Sequence, residues 1–213
     1  MPTVRYDPTK PSRTSVTVAR HFVTSMEGHT MSTMQAPRSP VDVGGVEGRI
    51  SRIGLVAIRV VLGITFLHEA AWKHPPDFGL EAGRGLWRWS NFAVDFPVFA
   101  PYSWFVANVV QPNFVFFGWM TFFLEAGIGA FLILGLLTRL TAVAGVFQSL
   151  AITFSVLNQD VFSEWSYAYY IMIAGFLAVA GTAAGRFYGL DGVLRPLWER
   201  SGGNIARLLL RAS

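Results

Sequence analysis

FVFFGWMTFFLEAGIGAFLILGLL, residues 114–137, holds one charged side chain, Glu125, in 24 positions. About 20 consecutive apolar residues are needed to cross the hydrocarbon core of a bilayer as a helix. A soluble helix carries a polar face, and this one has none. The stretch is therefore read as a transmembrane helix, and the rest of the chain is read outward from it.

The composition agrees. Of 213 residues, 52% are hydrophobic and only 14% charged, against roughly 25% charged in soluble domains. The mean hydropathy is +0.42. Three further apolar stretches are predicted spans: Ile53 to Ala71, Leu140 to Leu157 and Tyr167 to Ala184. Thr138-Arg139 is read as the tight turn between the second and third, and Asp160 and Glu164 fall in the loop before the fourth. The predicted fold is all-α, an integral-membrane four-helix bundle over residues 49–189. Residues 72–112 form a long aromatic extracytoplasmic loop rich in Trp, Phe and Tyr. Its stretch from Ser103 to Val110 is too short to cross and is read as interfacial or re-entrant.

Residues 1–48 are polar and proline-rich, without the apolar core of a secretory signal. They read as a disordered cytoplasmic tail. A transit peptide is the alternative, and Met31 and Met34 leave a later start open. Residues 190–213 alternate Leu, Val, Ile and Trp with Arg195, Arg200, Arg207 and Arg211, and Gly202-Gly203 divides them. That pattern is an amphipathic cytoplasmic segment lying on an anionic membrane face.

The net charge of +4 comes from basic residues that flank apolar segments rather than forming a nucleic-acid stripe. Arg49, Arg52, Arg139, Arg186 and the tail arginines lie on one side. Lys73, Arg84 and Arg88 lie on the other, diluted by acids. The positive-inside rule then places both termini in the cytoplasm of a multi-pass inner (plasma) membrane protein.

An ionisable residue inside a span costs about 2.5–3.5 kcal/mol on insertion scales, so each needs a reason. With spans centred near Leu62, Glu125 and Gln148, Arg59 falls roughly 4–5 Å from the first centre. Arg59, Glu125 and Gln148 are therefore expected to share a buried polar layer. It is either a structural ion pair or a site for a quinone headgroup or a proton relay. A second, outer site is read from Glu69, Lys73 and Tyr170, with Trp87 and Trp89 as a lid. The plainer reading there is an ordinary aromatic belt. His68 points away from Arg59 and reads as an interfacial histidine. In the fourth span, Gly181-x3-Gly185 offers a small-residue face that also permits self-association.

Several chemistries are unsupported. Without cysteine there is no thiolate metal site, Fe–S cluster or cysteine nucleophile. His68 and His74 sit on one segment, which does not suit axial ligation of haem. No GxGxxG, P-loop or HExxH motif is present. No haem, flavin, Fe–S cluster or other metal is expected, and catalytic residues are not identifiable.

Three motifs appear in order. The first span reads Arg59-x3-Gly63, Phe66-Leu67-His68 and Lys73. The second reads Glu125-Ala-Gly127 and Leu134-Gly135-Leu136-Leu137-Thr138-Arg139. The fourth is followed by Gly185-Arg186-Phe187-Tyr188-Gly189-Leu190-Asp191. Over residues 50–195 the chain resembles the DoxX/DoxD family of small four-helix membrane proteins, and its long aromatic loop resembles the DoxD branch. It departs at Ala183, where the family motif has glycine, and the sequence holds no DoxA-type companion domain. The resemblance implies a membrane subunit of a quinone-linked oxidoreductase such as thiosulfate:quinone oxidoreductase. That enzyme joins two thiosulfates into tetrathionate and passes the electrons to quinone. It also implies a partner subunit or soluble redox protein. The alternative is a non-enzymatic anchor or assembly factor that recruits soluble redox or stress-response proteins. A small transporter fits less well, because no internal repeat is visible.

Overall fold

The computed structural model describes residues 46–159 and 167–213. The tail assigned to residues 1–48 and the loop holding Asp160 and Glu164 thus lie largely or wholly outside the described residues. The elements are α1 (Val46–Ala71), α2 (Gly85–Asp95), α3 (Ala100–Phe105), α4 (Phe114–Leu134), α5 (Thr138–Val156), α6 (Tyr167–Thr182), α7 (Leu190–Ser201) and α8 (Asn204–Ala212). No strand occurs among the described residues.

Three helices are long and apolar enough to cross a membrane: Gly48–Ala71 with 24 residues, Ala100–Leu134 with 35 and Thr138–Val156 with 19. Helix α6 is apolar but shorter, Tyr167–Thr182. Large apolar side chains such as Val61, Phe116, Phe123, Phe147 and Ile171 are exposed on these helices. An apolar outer surface over an apolar interior is what a helix surrounded by lipid requires. Inside, Leu62 and Phe66 of α1, Ile128 and Leu132 of α4, Ala142 of α5, and Phe176 and Val179 of α6 form one core. The Phe66 and Phe176 rings meet edge to face at 5.0 Å.

The aromatic stretch differs from the expected loop. Residues 85–95 are helical, and Ser103–Val110 belongs to a rod that runs into the second span. Helix α3 passes through a π turn, Val106–Val110, and a 3-10 turn, Gln111–Asn113, into α4. The reason lies in the backbone. Helical hydrogen bonding satisfies every N–H and C=O internally, so an apolar helix has no cause to stop at the predicted boundary. These 35 residues are not one straight rod: Asn113 leaves the helical region (φ -119°, ψ 35°), and beyond that break the chain turns back so that Tyr102 reaches Ser155 near the end of α5.

Helices α1 and α4 run antiparallel and cross at small residues. A Cβ on Gly63 would stand 2.9 Å from the Gly129 carbonyl oxygen, and a Cβ on Gly129 would stand 2.8 Å from that of Gly63. This close approach fixes which residues of the two helices face each other.

A clasp closes the end where α4 meets α5. Gly135 ends α4 in the left-handed conformation (φ 66°), with Leu136 N–H bonded to Phe131 O at 2.9 Å. Leu137 is also left-handed, and α5 starts at once at Thr138. The turn is thus Gly135–Leu137 rather than Thr138-Arg139. The buried Asp191 carboxylate accepts the N–H groups of Leu137 at 2.7 Å and Thr138 at 2.9 Å. It serves as an anionic cap imported from the far end of the domain. Asp191 N–H donates to Gly135 O at 2.8 Å.

Arg59 completes the clasp. Its guanidinium donates to the carbonyls of Ala184 at 3.0 Å, Phe187 at 3.3 Å and Tyr188 at 3.4 Å. It thereby satisfies backbone acceptors left over where α6 ends. A Cβ on Gly135 or Gly189 would press on Arg59 Nη1, so glycine at both places makes the room. Gly185 packs on Thr138 and Asp191 in this clasp, beyond the end of α6, while Gly181 meets no neighbour. The two glycines therefore do not form one helix–helix face.

Asp191→Asn keeps the shape but leaves one side-chain acceptor for two buried donors. Stability should fall by about 1–3 kcal/mol, the cost of a buried unsatisfied group. Detergent melting curves measure this, with Glu199→Gln on the exposed side of α7 as a control expected to stay within about 0.5 kcal/mol.

Candidate functional site: a buried lysine–glutamate pair at the base of an aromatic cavity

Glu125 is fully buried in the middle of α4. A carboxylate removed from water needs a cation or several donors. It has both. Lys73 Nζ lies 2.5 Å from Oε2, and Gln148 Nε2 of α5 donates to Oε1 at 2.9 Å. Lys73 is itself buried, 3% exposed. It also donates to the Glu69 carbonyl oxygen at 2.8 Å and stands 4.4 Å from the centre of the Trp72 ring. Trp72 Nε1 in turn donates to the Glu69 carboxylate at 2.8 Å.

The expected pairing of Arg59 with Glu125 is therefore incorrect. The α1–α4 crossing sets Gly63 against Gly129 and Arg59 against Gly135. Position 135 is ten residues along the helix from Glu125, roughly 15 Å. At the level of Glu125 the first helix is already near its end, and the lysine just past that end reaches back with its four-carbon stem. Gln148 is placed as expected.

Above this pair lies a cavity of about 500 Å3, enclosed by α1, α2, the α3–α4 rod, α5 and α6. Glu69, Trp72, Lys73 and Trp89 line it, as do Glu125 and Gln148. The inner polar layer and the outer site of the sequence reading are thus one site, without Arg59. Trp87 and Tyr170 are not part of it. The Trp87 ring packs edge to face on Phe114 at 4.9 Å, and Tyr170 is half exposed, with Tyr169 lining the cavity in its place. His68 is exposed and lines the rim.

Sequence reasoning missed Tyr102, whose hydroxyl meets Ser155 Oγ at 3.0 Å on the cavity wall. It also missed Phe78, fully buried with its ring against Gly118 and 5.4 Å from that of Trp119. The signal for Tyr102 was hidden because α3 was read as loop. A straight continuation of α4 would carry Tyr102 well past the end of α5; the break at Asn113, which no sequence period marks, brings it back to Ser155. Phe78 lies in an irregular segment where no period places a side chain.

The site holds Lys73 as its cation against two carboxylates, Glu69 and Glu125. The Lys73 ammonium has three N–H donors. They are set among Glu69 O, the Glu125 carboxylate and the face of the Trp72 ring. The Tyr102 hydroxyl donates to Ser155 Oγ, whose own proton goes to Ala151 O, so the wall sets hydroxyl lone pairs and broad aromatic faces beside the Lys73 ammonium. That combination suits a flat, uncharged ring bearing oxygen acceptors.

Removing one partner of the buried pair should cost roughly 3–5 kcal/mol, seen in melting curves of Lys73→Met or Glu125→Gln. The double variant should recover about 0.5–3 kcal/mol of the summed loss. Arg59→Met combined with Glu125→Gln should be additive, and strict additivity of the Lys73 pair instead would refute the contact.

The family model DoxD, described as TQO small subunit DoxD, matches residues 96–210. No curated protein and no solved structure matches the chain. The matched stretch runs from the end of α2 into α8 and includes Tyr102, Glu125, Gln148, Ser155 and Asp191, whereas Arg59, Glu69 and Lys73 precede it. It covers more than half of the chain, which belongs to the DoxD family.

Proposed function

We propose that this chain is the quinone-interacting membrane subunit of an oxidoreductase and that its aromatic cavity receives the quinone headgroup. The observation that carries the reading is the juxtaposition of a buried Lys73–Glu125–Gln148 cluster with an aromatic cavity of about 500 Å3. Small-molecule sites fall between about 300 and 1,000 Å3 and combine apolar walls with a few fixed polar groups. The family description, TQO small subunit DoxD, favours thiosulfate as the electron donor.

In that reaction two thiosulfates lose two electrons and join through a new sulfur–sulfur bond. A bound quinone supplies the acceptor for those two electrons and for two protons. Within this chain, Trp72 and Trp89, tilted 60° to one another at 6.4 Å, offer apolar surface along one side of the ring. The Lys73 ammonium orients its oxygens. Glu125, held by Lys73 and Gln148, is the acid–base group nearest the base of the cavity. Thiosulfate is a dianion, and a site with two carboxylates against one ammonium repels it. The sulfur chemistry therefore belongs to a partner subunit.

The same reading has four spans, the fourth from Tyr167 to Ala184, in an inner (plasma) membrane with both termini cytoplasmic. Eight arginines at the end bearing the α4–α5 turn support that orientation.

Membranes from a deletion strain should lose thiosulfate-dependent quinone reduction. The wild-type gene should restore it, and a Glu125→Gln/Lys73→Met gene should not, at equal protein level by immunoblot. Unchanged activity in the deletion strain overturns the reading. Reporter fusions after Ser213 should register as cytoplasmic and fusions within residues 80–100 as external. A C-terminal fusion found outside overturns the orientation.

A further inference from the structure

Three arginines gather at the end of the domain opposite the cavity. Arg139 is in the first turn of α5, Arg186 in the 3-10 turn after α6, and Arg195 in the middle of α7. Arg186 Nη2 donates to Ser213 O at 3.2 Å, and Arg195 Nη1 donates to Ser213 Oγ at 3.2 Å, so two guanidiniums meet at one residue. Arg139 makes no hydrogen bond or ion pair among the described residues. Its Nε is buried without an acceptor, as is that of Arg186.

The nearby carboxylates are already engaged. Asp191 gives its two oxygens to Leu137 and Thr138 N–H, and Glu199 bonds Arg195 at 3.1 Å. Desolvation first, and then the positive charges of Arg195 and Arg139, push the Arg186 guanidinium below its ordinary range. Arg195 is paired with Glu199 and also donates to Leu210 O at 3.3 Å, whereas Arg139, beside it and Arg186, has neither acceptor nor counter-charge among the described residues, a cost that an anion from outside would offset.

The surroundings say where that anion comes from. Helix α7 exposes Leu190, Val193 and Leu197 at i, i+3 and i+7, and α8 exposes Ile205 and Leu208. Val193 is 68% exposed and Ile205 74%. Arg200, Arg207 and Arg211 accompany them and are exposed. An exposed apolar stripe edged with arginine, at the ends of membrane-crossing helices, matches the headgroup layer, where acyl chains and phosphates are within reach together. Free phosphate in solution leaves the apolar stripe unexplained.

The geometry points to a binding site for the phosphate of an anionic phospholipid, held by Arg139, Arg186 and Arg195, with the exposed stripe of α7 and α8 seated among the acyl chains. Guanidinium is suited to this task because its fork of donors matches phosphate oxygens two at a time.

Native mass spectrometry of the full chain in neutral detergent tests this by titration with phosphatidylglycerol or phosphatidylcholine. Wild type should prefer phosphatidylglycerol. Arg139→Gln should lower that affinity roughly fivefold, and Arg139→Gln with Arg186→Gln roughly 25-fold, at about one such factor per arginine. Arg84→Gln, at the opposite end, should behave as wild type. Arg139 has no partner to lose, so its variant stays folded and keeps the test decisive if Arg186→Gln does not. The proposal is overturned if the two lipids bind equally, if Arg139→Gln retains full preference, or if inorganic phosphate displaces phosphatidylglycerol at equal concentration.

Discussion

The Asp191 carboxylate and the Arg59 guanidinium are buried charges whose acceptors and donors are mainly backbone groups. Each closes a helix end that the chain leaves open: Asp191 the start of α5, Arg59 the end of α6. Neither end has a side-chain cap of its own. Because Arg59 belongs to α1 and Asp191 to α7, these two side chains fasten the first helix, the α4–α5 turn and the exit from α6 in one place. Together with the Gly63–Gly129 approach, this fixes the register between α1 and α4, and with it the arrival of Lys73 beside Glu125. Both signs of the helix dipole are matched here by fixed charge rather than by water.

The opposite side of the domain spends stability where the clasp gains it. Burying a lysine and a glutamate costs several kcal/mol per ion, and their attraction repays this only with good geometry and further hydrogen bonds. Leucine and methionine in the same space would hold the helices together as well. The pair is better understood as equipment of the cavity than as glue, and its neighbours support that view. Gln148, the Glu69 carbonyl and Trp72 occupy much of its hydrogen-bonding and cation–π capacity, and all of these groups lie at the cavity.

Much of this was legible in the sequence. Apolar runs marked the long helices, because lipid tolerates few charges whatever the tertiary contacts are. The break at Gly202-Gly203 separates α7 from α8 as read. Glu125 and Gln148 were paired from depth alone, since each lies near the middle of its own helix. Arg59 was misplaced by the same reasoning. Depth along one helix does not fix the offset between two, which is set by the Gly63–Gly129 approach, a contact that no single-helix pattern encodes. Trp87 was chosen in a stretch whose helical period was not recognised, whereas Tyr169 and Tyr170 were both placed at the outer end of a recognised span; one step along a helix turns a side chain by about 100°, and only Tyr169 faces the cavity. The motifs around Gly135 and Gly185 were seen as family marks before their joint task in the clasp was visible.

The π turn at Val106–Val110 lies inside the rod that walls the cavity, and Val106 and Val110 both face that space. A π turn accommodates one residue more than an α turn, as if a single amino acid had been inserted into an ordinary helix. Everything upstream is re-phased by that insertion relative to α4. Tyr102 meets Ser155 only in the shifted phase. Removing one residue between Val106 and Val110 would turn the π turn into α-helix while leaving the 3-10 turn at Gln111–Asn113 and the apolar span after it unchanged, yet would rotate Tyr102 away from Ser155. The aromatic wall is in this sense written in a different reading frame from the span it extends, and length polymorphism of a single residue would redraw the ligand chamber while leaving the membrane architecture intact.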